Sequence, residues 1–480
     1  MSMIGQEKEA TSDSLSAPCD DVKQLRLRHI IGFNGHVPKG LIIHPKEKHM
    51  LYPVASDIVI EHITKTADGE QEFLSRHSDT ITALDVSPDG RFVASGQKIC
   101  AGSKAPVILW DFCLRQLLME WPAHNVKVQA ISFLKSSHIF VSLGVDEDGH
   151  LTVWGVGQRQ PLTNQLAQPQ RATAPRCLAA SKRNGDKFIT AGRGHGRLWT
   201  LSSEGRELAF TELRFGPLGR DVTCVEVADY DSTEHQMAFL GNTGGDILLV
   251  VNMTNGTMQA CVPKKPVPSG ITSITYLRML DASTFNLLVG TGNGKVMNYD
   301  VALTYEKGNK VKGTARLAKD TNVWSDEREQ RAVTSIAKLG VGNTFYVGTE
   351  SCQMYVFNLY RWSAQLIRTC CLSPVLTLTF ARGTDDLLVT GEFSQVRVFN
   401  LHVNAEVRRY FRANRTCTSA VVNHDGTQVF TGWDNGGTVV LGFDPKDLAL
   451  KDLYRIDSTQ KQAVTALALT SESSVLVSGG

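Results

Sequence analysis

Residues 123–154 read "AHNVKVQAISFLKSSHIFVSLGVDEDGHLTVW". An alternating apolar segment is followed by a turn, a second apolar segment ending at Gly144, a second turn, and a third segment ending in Trp154. Apolar residues at period two mark half-buried strands. The same order recurs along the chain. Second segments end at glycines 96, 144, 192, 241, 290, 348, 391, 432 and 479, at intervals of 41 to 58 residues. "HMLYP", ending at Pro53, is an earlier copy, which makes ten. Third segments read "VILWD", "GRLWTL", "KVMNYD", "MYVFNL" and "VRVFNL", and "SPDG", "DEDG" and "NHDG" supply turn chemistry between strands. No stretch keeps a helical period.

A self-similar unit of this length with about four strands is the blade of a β-propeller. The sequence therefore predicts an all-β WD-repeat β-propeller, one seven-bladed ring plus the first blades of a second propeller. Residues 1–24 read as a polar tail. Residues 25–360 are expected to form the first propeller, with 25–33 as the strand that closes blade seven, and 361–480 an incomplete second one. The last copy stops at "VLVSGG" without its third segment. Three blades with an open edge fold poorly alone, so the expectation is a truncated sequence, or a second propeller completed by chain beyond residue 480.

"VILWD" holds the Trp-Asp pair of WD repeats, and that repeat pattern implies a buried chain of His, Ser, turn Asp and Trp. His124, Ser142, Asp148 and Trp154 match it. The role is structural, because a buried polar group left unpaired costs about 1–3 kcal/mol. The second copy has His77, Ser95 and Trp110 but no Asp in its turn "QKICAGSKAP". Such copies are expected to rely on apolar packing.

Composition narrows the function. Fifty Lys and Arg against 48 Asp and Glu give a near-neutral chain, with no global sign of nucleic-acid or membrane binding. Ten cysteines form no Cys-x-x-Cys pair, so zinc ribbons and thioredoxin-like motifs fall away, and reduced thiols are expected. The longest aliphatic run, "ILLVV" at 247–251, cannot span a bilayer.

Chemistry-bearing patterns have plainer structural readings. His36, His44 and His49 lie close together, yet no Cys or carboxylate completes a metal set at familiar spacing. "VGTGNGK" at 289–295 joins two strands and does not open a helix, so it reads as a turn rather than a phosphate loop. No nucleophile, acid and base converge, so no catalytic residue, cofactor, metal or small-molecule substrate is assigned. Three basic stretches are candidate partner contacts. They are "EVRRYFRANR" with Arg408, Arg409, Arg412 and Arg415, "VPKKPVP" with Lys264 and Lys265, and the loop 305–319 with Lys310 and Lys312. Solvated surface charge is the competing reading, and it is favoured for the arginines.

The opening "IIGFNGHVPKGLIIHP", then "MLYP", "ASGQ", "ILWD", "VSLG", "DGHLTVW", "TAG" and "GDIL", resembles the cilia- and flagella-associated protein 52 family from about residue 25 to the end. The opening stretch is the specific part, since generic WD repeats do not share it. The resemblance implies a non-catalytic structural protein of the ciliary axoneme. It implies a microtubule inner protein in the lumen of the doublet B-tubule, touching tubulin and neighbouring inner proteins. It also implies two complete seven-bladed propellers, from which this chain departs. Its loop at 301–332 is long for a blade connection. The alternative is a soluble WD-repeat adaptor or substrate receptor in a cytosolic complex.

Overall fold

The computed structural model describes residues 2–7, 24–64, 71–100, 102–145, 148–167, 174–182, 185–202, 204–215, 221–228, 237–252, 257–261, 267, 269–281, 283–306, 310–323, 330–340, 342–371, 373–380, 386–402, 404–443, 450–457 and 460–480. Among them every regular element is a strand. They fall into two compact units. One comprises Phe33–Thr66 and Glu70–Leu366, the other Met1–Gly32 and Ile367–Gly480.

The first unit holds seven four-stranded antiparallel sheets among its described residues, each built from consecutive strands. They span 42–75, 81–125, 128–166, 174–212, 222–261, 271–322 and 333–368. Successive sheets meet in order, and Val333–Lys338 of the seventh returns to Ile42–Ile43 of the first. The sheets thus close into a ring, in which each innermost strand packs beside that of the next sheet and the remaining sheet edges are short. The core is a series of layers between neighbouring sheets. Phe133, Phe140 and Trp154 of the third pack with Ala94, Val107 and Leu109 of the second, and Phe239 and Leu249 of the fifth with Phe285 and Tyr299 of the sixth.

Several of the recurring glycines sit at these seams. A Cβ on Gly96 would lie 2.5 Å from Val128, and one on Gly290 would lie 2.6 Å from Val333. In each case the first residue of the next innermost strand occupies the space. Gly348 meets Phe33 in the same way, at 2.6 Å. Phe33 is therefore the residue on which the ring closes, and Gly35 beside it lies against the carbonyl of Thr349.

A threonine hydroxyl also bridges several seams. Thr82 Oγ1 donates to Val128 O at 2.7 Å, and Thr272 Oγ1 to Val333 O at 2.7 Å. Thr223 makes the same bond to Ile271 O. Nothing in the alternating pattern singled these threonines out, because a half-buried Thr in a strand is ordinary.

The second unit repeats the device. Its strands Thr377–Phe380, Leu387–Asn400, Ala405–Val422, Gln428–Trp433, Thr438–Phe443 and Leu450–Ile456 pair in that order. Ala405–Val422 pairs with Leu387–Asn400 through its first part and with Gln428–Trp433 through its last, so one long strand passes between two blade-like sheets. Thr418 Oγ1 donates to Val464 O at 2.6 Å, and Gly432 faces Val464. Ala466–Leu469 and Leu476–Gly479 form a further pair.

Two expectations differ from the structure. The outer strand of the seventh sheet is Ser363–Arg368, not residues 25–33. A short connection brings that strand back, with Asn358 Oδ1 accepting from Arg361 N at 2.8 Å, and a local hairpin needs little loop closure. Gln24–Ile30 pairs instead with Ser2–Glu7, and Ile31 packs on Leu388 and Phe399 of its own unit. Nor is 301–332 mainly a loop. Lys295–Glu306 and Lys310–Asn322 pair from Lys295↔Asn322 to Glu306↔Lys310, so the extra length extends a hairpin. Leu303 and Ala315 are buried in it, which anchors the base of the extension.

Candidate functional site

The polar groups predicted to lock the third sheet lie on its second and third strands, on the turn after Gly144 and, for His124, at the end of the outer strand of the second sheet. Trp154 Nε1 donates to Ser142 Oγ at 2.8 Å, Ser142 Oγ lies 2.7 Å from His124 Nε2, and His124 Nδ1 lies 2.6 Å from Asp148 Oδ2. All four side chains are buried. A neutral His124 protonated on Nδ1 lets every donor point the same way, from Trp154 toward Asp148. Burial, the largest single influence, would raise the Asp148 carboxyl, but His124, the Asn125 backbone and His150 together hold the group below its ordinary value.

The second sheet runs the same chain with a different terminus. Trp110 Nε1 donates to Ser95 Oγ at 2.9 Å, His77 Nε2 lies 2.7 Å from that hydroxyl, and His77 Nδ1 lies 2.7 Å from Gln97 Oε1. Gln97 stands where an Asp was sought, so this sheet does not rely on packing alone. Its position beside the terminal glycine of "FVASGQ" was the available signal. In the fourth sheet Trp199 Nε1 donates to Thr190 Oγ1 at 2.8 Å, and His195 Nε2 lies 2.9 Å from the same oxygen. Here the His follows the Thr in sequence, an inversion that a search for His-then-Ser misses.

The first and seventh sheets use Tyr52 on Glu61, at 2.9 Å, and Tyr355 on Gln353, at 2.8 Å. In the second unit, buried Arg397 sits 2.7 Å from Glu392 and 3.3 Å from Glu406.

The histidines of the opening stretch serve the fold. His44 is buried, its Nε2 donates to Gly90 O at 2.7 Å, its Nδ1 accepts from Lys46 N, and its ring stacks on Phe112 with centroids 4.0 Å apart. His36 is exposed, and its backbone N donates to Asn34 Oδ1 at 3.1 Å. No group of three or more metal-ligating side chains occurs among the described residues. In "VGTGNGK", Thr291 Oγ1 accepts from Lys295 N at 2.9 Å, within the turn between two strands of the sixth sheet.

The basic candidates separate. Arg409 Nε is 2.5 Å from Glu406, Arg412 lies 5.1 Å above the Trp433 ring, and Arg415 Nη1 is 3.8 Å from Asp434. Arg408 and Arg409 are half-buried and Arg415 is exposed. These guanidiniums are engaged largely within their own unit. Lys310 and Lys312 lie on the outer strand of the sixth sheet, paired in register with Glu306 and Thr304 at the far end of the hairpin. Lys264 and Lys265 lie outside the described residues.

The innermost strands of the first unit surround a cavity of about 390 Å³, which no sequence pattern marked. Two ion pairs cross between non-adjacent parts of the ring there. Lys39 pairs with Glu226 at 2.5 Å, and Lys182 with Asp85 at 2.8 Å. Asp85 Oδ2 also accepts from Phe133 N at 2.8 Å. Burial, the largest single influence, would lower Lys39, but the charge and hydrogen bond of Glu226, with smaller contributions from Cys224 and Cys177, together raise the ammonium above its ordinary value.

Residues 70–103 match the WD40 family, described as "WD domain, G-beta repeat". The solved "Structure of U3-55K" aligns with a TM-score of 0.48 at 17% identity, over 67% of this chain and 89% of that one. Cilia- and flagella-associated protein 52 of Mus musculus is 32% identical over 460 residues, covering 96% of this chain and 69% of that protein. The chain belongs to the cilia- and flagella-associated protein 52 family. The Homo sapiens member is 32% identical over 98% of this chain and 70% of its own length, and the Chlamydomonas reinhardtii member 30% identical over 92% and 67%. Membership makes this a WD-repeat protein of the cilium or flagellum.

Proposed function

We propose that this chain is a non-catalytic structural protein of the axoneme, a microtubule inner protein that binds tubulin and neighbouring inner proteins in the lumen of the doublet B-tubule and stabilises the doublet for motility. The carrying observation is family identity across nearly the whole chain, at 32% over 96% of it. The ring supports this reading physically. Its polar side chains are used for locks and seams, giving a rigid body whose weak contacts add when many copies share a lattice. We assign the outward contacts to basic groups at the periphery, foremost Lys310 and Lys312 on the extended hairpin, then Arg415, with Lys264 and Lys265 as further candidates. Arg408, Arg409 and Arg412 are weaker ones because their own unit engages them. The division into a first propeller and part of a second remains the proposed architecture.

Serial extraction of isolated axonemes tests the reading. A luminal protein stays with doublets through high-salt washing of the exterior and is released only when the doublets themselves are dissolved. Release in the first mild salt wash, or a tagged chain spread through the cytosol and absent from axonemes, would identify a soluble adaptor instead.

A further inference from the structure

We propose that the central cavity of the seven-sheet ring is a binding site for a carboxylate presented by an acidic peptide, with Lys338 as the group that holds it. The site is independent of the axonemal reading above. It rests on the cavity, its charge balance and the position of one amine.

The cavity's volume of about 390 Å³ lies in the range of ligand sites. Its wall carries two carboxylates, and both are committed. Asp85 accepts from Lys182 and from the backbone of Phe133, and Glu226 accepts from Lys39. Ser132 Oγ accepts from Ala180 N at 3.2 Å, and Thr275 Oγ1 donates to Ile336 O at 2.8 Å, so these hydroxyls are already tied to the neighbouring strand.

Lys338 is different. It ends the innermost strand of the seventh sheet, is half-buried, and its Nζ donates to Leu277 O at 3.1 Å. An ammonium has three donor hydrogens, and no carboxylate lies within ion-pair distance of this one among the described residues. Burial, and after it the neighbouring charge of Arg278, lower its pKa, with Glu47 opposing more weakly. An incoming carboxylate relieves both the desolvation and the like-charge contact. Lys182, already shared with Asp85, and exposed Arg278 keep the surrounding potential positive. This charge favours an acidic chain and disfavours a basic one.

A peptide and a free small carboxylate share the same anionic group, so the test separates them. Fluorescein-labelled hexaglutamate is titrated with the full chain by fluorescence anisotropy, beside hexaglutamine, with unlabelled citrate as competitor. The expected result is saturable binding of hexaglutamate, none of hexaglutamine, and weak competition by citrate. Lys338→Met should weaken binding by about fivefold or more, the scale of one partly exposed ion pair. Lys338→Arg should retain most of it, and Lys461→Met, an exposed lysine of the other unit, should leave it unchanged. Circular dichroism confirms folding of each variant, and Lys338→Gln replaces Lys338→Met if the latter does not fold. No saturable binding, or equal binding by the wild type and the Lys338 variant, would overturn the proposal. Competition by citrate as strong as that by unlabelled hexaglutamate would overturn the peptide assignment.

Discussion

A serine oxygen 2.8 Å from an indole nitrogen and 2.7 Å from an imidazole holds the third sheet together. Ser142→Ala orphans the Trp154 donor and the His124 ring at once, both in a buried site. The expected cost is about 2–3 kcal/mol, read as a lower urea midpoint with an unchanged slope. Acid should act through buried histidines. His195 is pushed down to about 4, by burial and then by Arg197, from a reference value of 6.5. The folded state therefore binds fewer protons than the unfolded chain between those values. Stability from this group is whole above about pH 6.5 and is lost as the pH falls toward 4, by about 3 kcal/mol. His44, His49 and His77 are lowered in the same direction, chiefly by burial. Denaturant melts at stepped pH should show a His195→Gln variant losing less stability than wild type across that window. The lock of the third sheet was legible because its His, Ser, Asp and Trp all stand at familiar places in one copy. Gln97 and the Thr190–His195 pair were not, because the same hydrogen bonds are made by another residue type or in another order. Arg397 was missed for a related reason: an isolated Arg in a strand reads as surface, and only the fold brings Glu392 and Glu406 to it.

At the scale of strands and seams, the period-two pattern located the sheets well, since Gly96, Gly241 and Gly290 each end a second segment against the first residue of the next sheet. The pattern could not say why a glycine was needed, because Val128, Val333 and Phe33 approach only in three dimensions. Thr272 links the sixth and seventh sheets through its hydroxyl. Thr272→Val keeps the shape and removes that donor, so a loss of about 1 kcal/mol is expected. Hydrogen exchange should rise in 271–281 and 333–338 while remaining unchanged in the third sheet. A uniform rise across all sheets would show that the hydroxyl does not act at the seam. The stretch 301–332 was misread because a long blade interval suggests an insertion loop. Instead, "KVMNYDVALTYE" continues as one strand and pairs with "KVKGTARLAKDTN" along its length.

In the first unit, seven sheets close on Phe33, at the end of the stretch 25–33, and that stretch supplies no outer strand to the seventh sheet. The closure misled because a strand-like segment before the first copy resembles a closing strand, while the local return at Ser363–Arg368 is apparent only from the pairing. Family membership places this ring in the cilium or flagellum, and the central claim is that it stands inside the doublet wall. A cryo-electron microscopy map of doublet microtubules, from axonemes in which this chain is the sole family member, tests that claim most directly. The expected map shows a ring of seven four-stranded sheets in the B-tubule lumen, with the extended hairpin of the sixth sheet identifying the chain. A lumen without that ring, or the ring found only on the outer surface or in the soluble fraction, would contradict it.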